Sequence, residues 1–217
     1  MSYLDARWAP AVALLVFAGV DLVLPAVRHF IRTGTTGVAF FRGDPVERVL
    51  GAAMGAGALS LTTLTVLYAV GQGRLLGMIE TTPLLRASGV VVIALGTALV
   101  AIAQAQMGRS WRIGIEPGKT ALVTHGLYSH IRNPIYTGLF LSLAGAVLAM
   151  PTISVALVAS QLGLWVCLQT RREEAHLARL HPDQFPEYAA RAGRFLPGLG
   201  TLPQDGFQRG QHKGSTA

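Results

Sequence analysis

Polar and apolar positions in this chain are segregated into long blocks. Trp8 to Val27 carries a single charge, Asp21, while Leu50 to Val70 and Ala87 to Met107 carry none. A helix crossing about 30 Å of hydrocarbon needs roughly 20 apolar residues, so each block predicts a membrane-spanning helix. Ile135 to Gln169 is longer, with 35 consecutive uncharged residues. As one helix it would extend about 52 Å at 1.5 Å per residue, too far for one crossing. Pro151, in Ala149-Met150-Pro151-Thr152, is the natural break, because proline lacks the helical N–H and clashes with the preceding turn. The pattern therefore predicts Ile135–Met150 and Thr152–Gln169, joined by almost no loop, the shorter first arm turning within the far headgroup layer. The expected fold is all-α: an integral membrane protein of five transmembrane helices, the last two a tight hairpin, followed by a cytoplasmic helical segment. Trp8 to Val27 is long for a secretory signal and is followed by Pro25, Arg28 and His29 instead of a small-residue cleavage pattern, so it reads as a retained first span.

Composition agrees with this picture. Of 217 residues, 51% are apolar and only 13% charged, against about 25% charged in soluble domains. Half of the usual hydrated surface is missing, which disfavours disorder, a coiled coil and a basic nucleic-acid-binding globule. The net charge of +7 comes almost entirely from arginine, and its placement is uneven. Arg7, Arg74 and Arg86 fall on one side of the five spans and all the other basic residues on the other. The excess marks the cytoplasmic face, so the N-terminus is expected outside and the C-terminus inside. The lone cysteine, Cys167, excludes an internal disulfide framework and a cysteine-rich zinc site.

Three further features carry expectations. Gly51-Ala52-Ala53-Met54-Gly55 is a small-xxx-small pattern that lets helices approach closely in lipid, here within one chain in preference to a dimer. Asp21 is an acid inside a span, a functional candidate by default, and structural pairing with Arg28, seven residues on, is favoured over substrate binding. From Gly198 to Ala217 the chain is rich in Gly, Gln and Thr without apolar periodicity and is expected to be disordered.

The groups able to do chemistry are concentrated in Gly108 to Tyr136 and Gln169 to Arg194, two blocks on the same side that the hairpin folds together. In the first, Gly126 permits positive φ or a close backbone approach, Pro134 suits the first turn of the fourth span, and Asn133 stands where a cap is expected. Tyr128 and Tyr136 bracket this turn; each ring can hold an adenine or a cation, or serve equally as an interfacial anchor. The second block, Gln169-Thr170-Arg171-Arg172-Glu173-Glu174-Ala175-His176-Leu177, sets paired bases beside paired acids. On spacing alone it reads as a solvated helix end.

Taken together, Leu122-Val123-Thr124-His125-Gly126-Leu127-Tyr128, then Arg132-Asn133-Pro134-Ile135-Tyr136-Thr137-Gly138, an apolar hairpin, Glu173-Glu174 and Tyr188 to Pro197 resemble the isoprenylcysteine carboxyl methyltransferase and phospholipid methyltransferase superfamily. The resemblance covers about 110 to 197; the first 100 residues match only as apolar spans. Together with the apolar pattern and the tail composition, it divides the chain into three N-terminal spans over 1–107, a methyltransferase core over 108–197 and a tail over 198–217. It also implies S-adenosylmethionine as cofactor, held by Thr120, Ala121, Leu122 and Val123 through the backbone, by His125 and Tyr128, by the turn Asn133, Pro134, Ile135 and Tyr136, and by Glu173. Some relatives implicate the second acid, here Glu174.

Two departures bear on chemistry. The turn reads Arg-Asn-Pro where relatives often have Arg-His-Pro, and Asn hydrogen-bonds without titrating. Gln169 occupies the place, one turn before Glu173, of an arginine proposed to meet the substrate in protein-modifying relatives. Arg171 or Arg172 would then have to orient a carboxylate acceptor, whereas an amine acceptor needs a base such as Glu174 or His125. The implied function is S-adenosylmethionine-dependent methyl transfer, without a metal, to a lipophilic acceptor at the cytoplasmic face of a bacterial inner membrane. That acceptor is a prenyl-type carboxylate or a lipid amine, with membrane lipids and not nucleic acid as partners. An NADPH-dependent reductase of the sterol reductase type, sharing related C-terminal motifs, and a non-enzymatic membrane scaffold or transporter are the competing readings.

Overall fold

The structure is a computed structural model that describes residues 3–34, 45–108 and 121–203. It is helical throughout, with isolated β-bridges but no β-strand among the described residues. Helix α1 (Tyr3–Phe17) runs through a π-helical stretch, Ala18–Val23, directly into α2 (Leu24–Thr33). Then follow α3 (Pro45–Ala69), α4 (Pro83–Met107), α5 (Pro134–Ala149), α6 (Ile153–Leu180) and α7 (Gln184–Arg191). Four helical stretches are long and apolar enough to cross a membrane, Ala6–Arg32, Pro45–Ala69, Pro83–Met107 and Ile153–Leu180; α5 is a shorter apolar helix. Their outer faces carry large apolar side chains such as Leu15, Leu59, Leu84, Leu157 and Leu164, all more than 60% exposed. A soluble protein does not leave such a surface bare, and the fold fits an integral membrane protein.

The chain does break around Pro151. Met150 to Thr152 separate α5 from α6, and the Thr152 hydroxyl accepts from Val155 N at 3.2 Å to cap the new helix. This connection is buried and pinned by the loop between α3 and α4: Ile79 N donates to Pro151 O at 2.7 Å and Ile153 N to Gly77 O at 3.0 Å. Helix α6 runs on past Gln169 to Leu180, since Arg, Glu, Ala and Leu are strong helix formers. Glu173 and Glu174 are therefore rigid extensions of the last apolar helix.

Of the two small residues expected to pack on α3, Gly51 is buried and Gly55 is not, and the closest helix approach lies elsewhere. It lies between α4 and α5, where Gly89 and Gly96 face Gly138 and Gly145. A Cβ on Gly96 would lie 2.6 Å from Gly138 O, and one on Gly145 2.7 Å from Gly89 O, so no larger residue fits without parting the helices. Gly55 faces open space, and on α3 it is Gly57 that packs, against Leu162 of α6. The signal was the repeat of glycine at seven-residue spacing in both partner helices.

The expected Asp21–Arg28 pairing does not form. Asp21 is 1% exposed and both carboxylate oxygens lack a hydrogen-bond partner among the described residues, while its carbonyl accepts from Gln104 Nε2 of α4 at 2.8 Å. Seven residues of α-helix already separate two side-chain origins by about 10 Å. The wider π turn at Ala18–Val23 additionally rotates α2 off the face that carries Asp21.

Candidate functional site

Both polar blocks gather at one end of the bundle, where α5 begins, α6 emerges from its apolar stretch and α3 starts. The first block enters through a short 3-10 turn, Gly126–Ser129. Gly126 adopts φ +63, and a Cβ there would meet the Gln106 side chain at 2.5 Å. Gln106 Oε1 in turn accepts from Leu127 N at 2.8 Å, fastening the turn to the end of α4. The next residues zip onto the segment after α7: Gly193 N donates to His130 O at 3.0 Å, Arg132 N to Gly193 O at 2.8 Å and Asn133 N to Arg194 O at 3.2 Å. Tyr188 Oη closes the assembly from α7, donating to Tyr128 O at 2.8 Å.

Beneath this backbone seam, Glu174 is buried and both of its oxygens are engaged. Oε1 accepts from Arg132 Nε at 3.0 Å and Asn133 Nδ2 at 2.9 Å; Oε2 accepts from Arg194 Nε at 3.0 Å and from its terminal nitrogen at 2.6 Å. The Arg132 guanidinium also donates to the carbonyls of Ala189, Ala192 and Gly200. One buried carboxylate shared by two arginines thus locks the turn before α5, the C-terminal part of α6 and the segment after α7 together. The cap expected of Asn133 is not made, because its side-chain amide reaches Glu174 and Arg194 O instead. Residues 198–203, in the stretch expected to lack structure, are held as well, with Leu202 N donating to Ala189 O at 2.9 Å.

Glu173, one position earlier, points to a different set of neighbours. Its Oε1 accepts from Tyr136 Oη at 2.8 Å and from Gln169 Nε2 at 3.2 Å. Gln169 is fully buried, and the same nitrogen donates to Glu47 Oε1 at 3.0 Å; Glu47 Oε2 accepts from Arg172 Nε at 3.2 Å. Trp165 lies edge-on to Tyr136 with ring centroids 6.4 Å apart and donates to Leu50 O at 2.8 Å, which brings the start of α3 against this cluster. Two polar atoms here are buried without a partner among the described residues, Tyr128 Oη and Gln169 Oε1. Burial, with Tyr188 and Glu173 nearby, raises the Tyr128 phenol well above the usual tyrosine range.

The residues expected at the site therefore divide. Tyr128, Tyr136 and Glu173 converge, while Asn133 and Glu174 form the clamp next to them. Pro134 is buried in the first turn of α5, with Ile135 half-buried beside it. His125 and Ala121 are exposed, Leu122 packs on Phe185 and Tyr188 under α7, and Val123 is half-buried. Arg171 is exposed, Arg172 is tied to Glu47, and Thr120 lies outside the described residues. Sequence reasoning did not single out Glu47, nor Arg132 and Arg194 as partners of Glu174. For Glu47 the available signal was an acid at the very start of an uncharged span.

Residues 84–184 match the family model described as phospholipid methyltransferase. This segment is similar to that family. A comparison with curated proteins gave no match. The matched stretch holds α5, α6, α4 from Leu84 onward and both acids, and its likeness points to a membrane methyltransferase. Glu47 and Arg194, which complete the two carboxylate clusters, both lie outside it.

Proposed function

We propose that this protein transfers the methyl group of S-adenosylmethionine to a lipid amine at the cytoplasmic face of a bacterial inner membrane. In this reading the chain spans the bilayer five times with its N-terminus outside, α5 and α6 forming the last hairpin. The observation that carries the proposal is the convergence of Tyr136, Glu173, Gln169 and Glu47 beside a Tyr128 hydroxyl that has no partner among the described residues, in a chain whose residues 84–184 are similar to the phospholipid methyltransferase family.

These residues suit the cofactor. Glu173 offers a carboxylate to ribose hydroxyls or an ammonium, Tyr128 Oη is a buried hydroxyl without a partner among the described residues, and the aromatic rings of Tyr128 and Tyr136 suit an adenine or a cation. When bound, S-adenosylmethionine supplies a methyl carbon on a positively charged sulfur, open to in-line displacement. The work of the protein is then alignment and exclusion of water: reactants held in near-attack geometry gain several kcal/mol, and a dry site favours a transition state in which charge disperses.

Between the two acceptors the polar groups favour the amine. Gln169 stands where a carboxylate-orienting arginine would be needed, Arg172 donates to Glu47, and Arg171 is exposed. Among the described groups, two carboxylates stand against the single guanidinium of Arg172, a balance that favours an ammonium over a carboxylate. Glu174, with donors on both oxygens, acts here as a clamp and not as the base; the proton that an ammonium must lose before its nitrogen takes the methyl group passes instead to Glu173, and S-adenosylhomocysteine is the leaving group. Calorimetry with S-adenosylhomocysteine and with NADPH tests the cofactor: binding of the first alone is expected, and binding of NADPH alone would replace this reading with a reductase. Labelled methyl donor on native membranes tests the acceptor, and base-stable label in lipid is the expected result; base-labile label would indicate an ester.

A further inference from the structure

Glu47 lies outside the family segment, 1% exposed at the start of α3, yet it contacts the centre of the site. The Gln169 side-chain nitrogen has two N–H groups and two carboxylate neighbours, Glu47 Oε1 at 3.0 Å and Glu173 Oε1 at 3.2 Å. This decides how the amide is turned, because the flipped orientation would set its carbonyl oxygen against both acids. The orientation that remains leaves Gln169 Oε1 fixed, buried and without a hydrogen-bond partner among the described residues. A buried carbonyl oxygen in that state is costly unless a ligand donates to it.

We infer that Glu47 is a positioning residue: by holding the Gln169 amide it presents Gln169 Oε1 as the acceptor for an N–H of the bound lipid amine. The inference rests on the amine reading given above. It makes the N-terminal third of the chain part of acceptor selection, since an acceptor that donates hydrogen bonds is received and one that only accepts them is not. Arg172, donating to the other oxygen of Glu47, keeps that carboxylate turned toward Gln169.

The test uses the full-length protein in detergent with labelled S-adenosylmethionine and the total lipid extract of its own membranes. Glu47→Gln lets the neighbouring amide donate to Gln169 Oε1, so the Gln169 side chain turns and the acceptor loses its contact. The amount of extract giving half-maximal rate should rise about tenfold, the effect of one hydrogen bond, while S-adenosylhomocysteine affinity stays within about threefold. Gln169→Met should produce the same rise, and the double variant should add nothing to either single change, because both remove one contact. An unchanged half-saturation in Glu47→Gln, with or without a lower Tm, reduces Glu47 to a fold clamp and overturns the inference, as do effects that multiply in the double variant. If Glu47→Gln fails to fold, Gln169→Met alone decides, since an unchanged half-saturation there leaves Oε1 with no ligand. A wild-type protein that neither binds S-adenosylhomocysteine nor labels lipid sinks the functional reading itself, an outcome separate from any ranking of the variants.

Discussion

Glu173 and Glu174 are adjacent on one helix, chemically identical and turned about 100° apart, and the structure uses them in opposite ways. Glu174 accepts from Arg132, Asn133 and Arg194, and through Arg132 it fastens the carbonyls of Ala189, Ala192 and Gly200. Glu173 Oε1 accepts from a tyrosine hydroxyl and an amide, next to a phenol and a carbonyl oxygen that have no partner among the described residues. The first cluster is satisfied by the fold itself. The second is organised but incomplete, the condition of a site awaiting a ligand. A pair of acids at a helix end thus divides into one that clamps the C-terminal segment and one that, on the proposed function, faces the cofactor.

The sharpest way to break that contrast is at the clamp. Arg132→Leu removes every side-chain donor that Arg132 supplies and leaves Glu174 buried with part of its charge uncompensated. Breaking a buried pair from one side costs about 3–5 kcal/mol, and the Arg132–Glu174 side chains are only 2% and 6% exposed. The expected result is a Tm lower by several degrees, with proteolysis beginning around α7, where the released segment lies. A variant that melts like the wild type would show that the clamp holds nothing.

Glu173→Gln should do the reverse. The amide keeps the shape and can still accept from Tyr136, so the Tm should move little, while S-adenosylhomocysteine affinity falls at least tenfold, the effect of a charged hydrogen bond worth about 1.5–3 kcal/mol. Glu174→Gln should lower the Tm first and affinity only as a consequence. Equal ratios of the two effects in both variants would erase the distinction between the acids.

How much of this was legible in the sequence follows from which interactions are local. The apolar blocks, the break at Pro151 and the glycine at position 126 depend on hydropathy, a missing N–H and a positive φ, all written in adjacent residues. Asn133 was misassigned as a cap because capping is a local rule, and a buried carboxylate 41 residues away offered its amide a stronger partner. Glu47 stayed hidden for the same reason: its partners Gln169 and Arg172 lie more than 120 residues along the chain. The glycines joining α4 to α5 were visible as spacing but had no meaning until the pairing of those helices was known. Family resemblance supplied Tyr136 and Glu173 together, which spacing alone left as an interfacial tyrosine and a solvated helix end.

The smallest expected effect concerns Tyr128, and its sign separates a ligand group from a fold group. Burial raises the phenols of Tyr128 and Tyr188 above the ordinary tyrosine value. The folded chain therefore keeps protons that the unfolded chain releases above about pH 10. Their contribution to stability is complete below that pH and is lost as pH rises beyond it. Both phenols should stay protonated in the folded protein when free tyrosine is already ionised, read by phenolate absorbance. Tyr188→Phe removes the hydrogen bond to Tyr128 O and should cost about 1 kcal/mol at neutral pH. Tyr128→Phe removes a hydroxyl with no partner among the described residues. At neutral pH it should leave the Tm unchanged or slightly raised, make the alkaline loss shallower, and weaken S-adenosylhomocysteine binding a few-fold. A Tyr128→Phe protein that loses stability at neutral pH without losing ligand affinity would return that hydroxyl to the fold and leave Glu173 without its neighbour at the site.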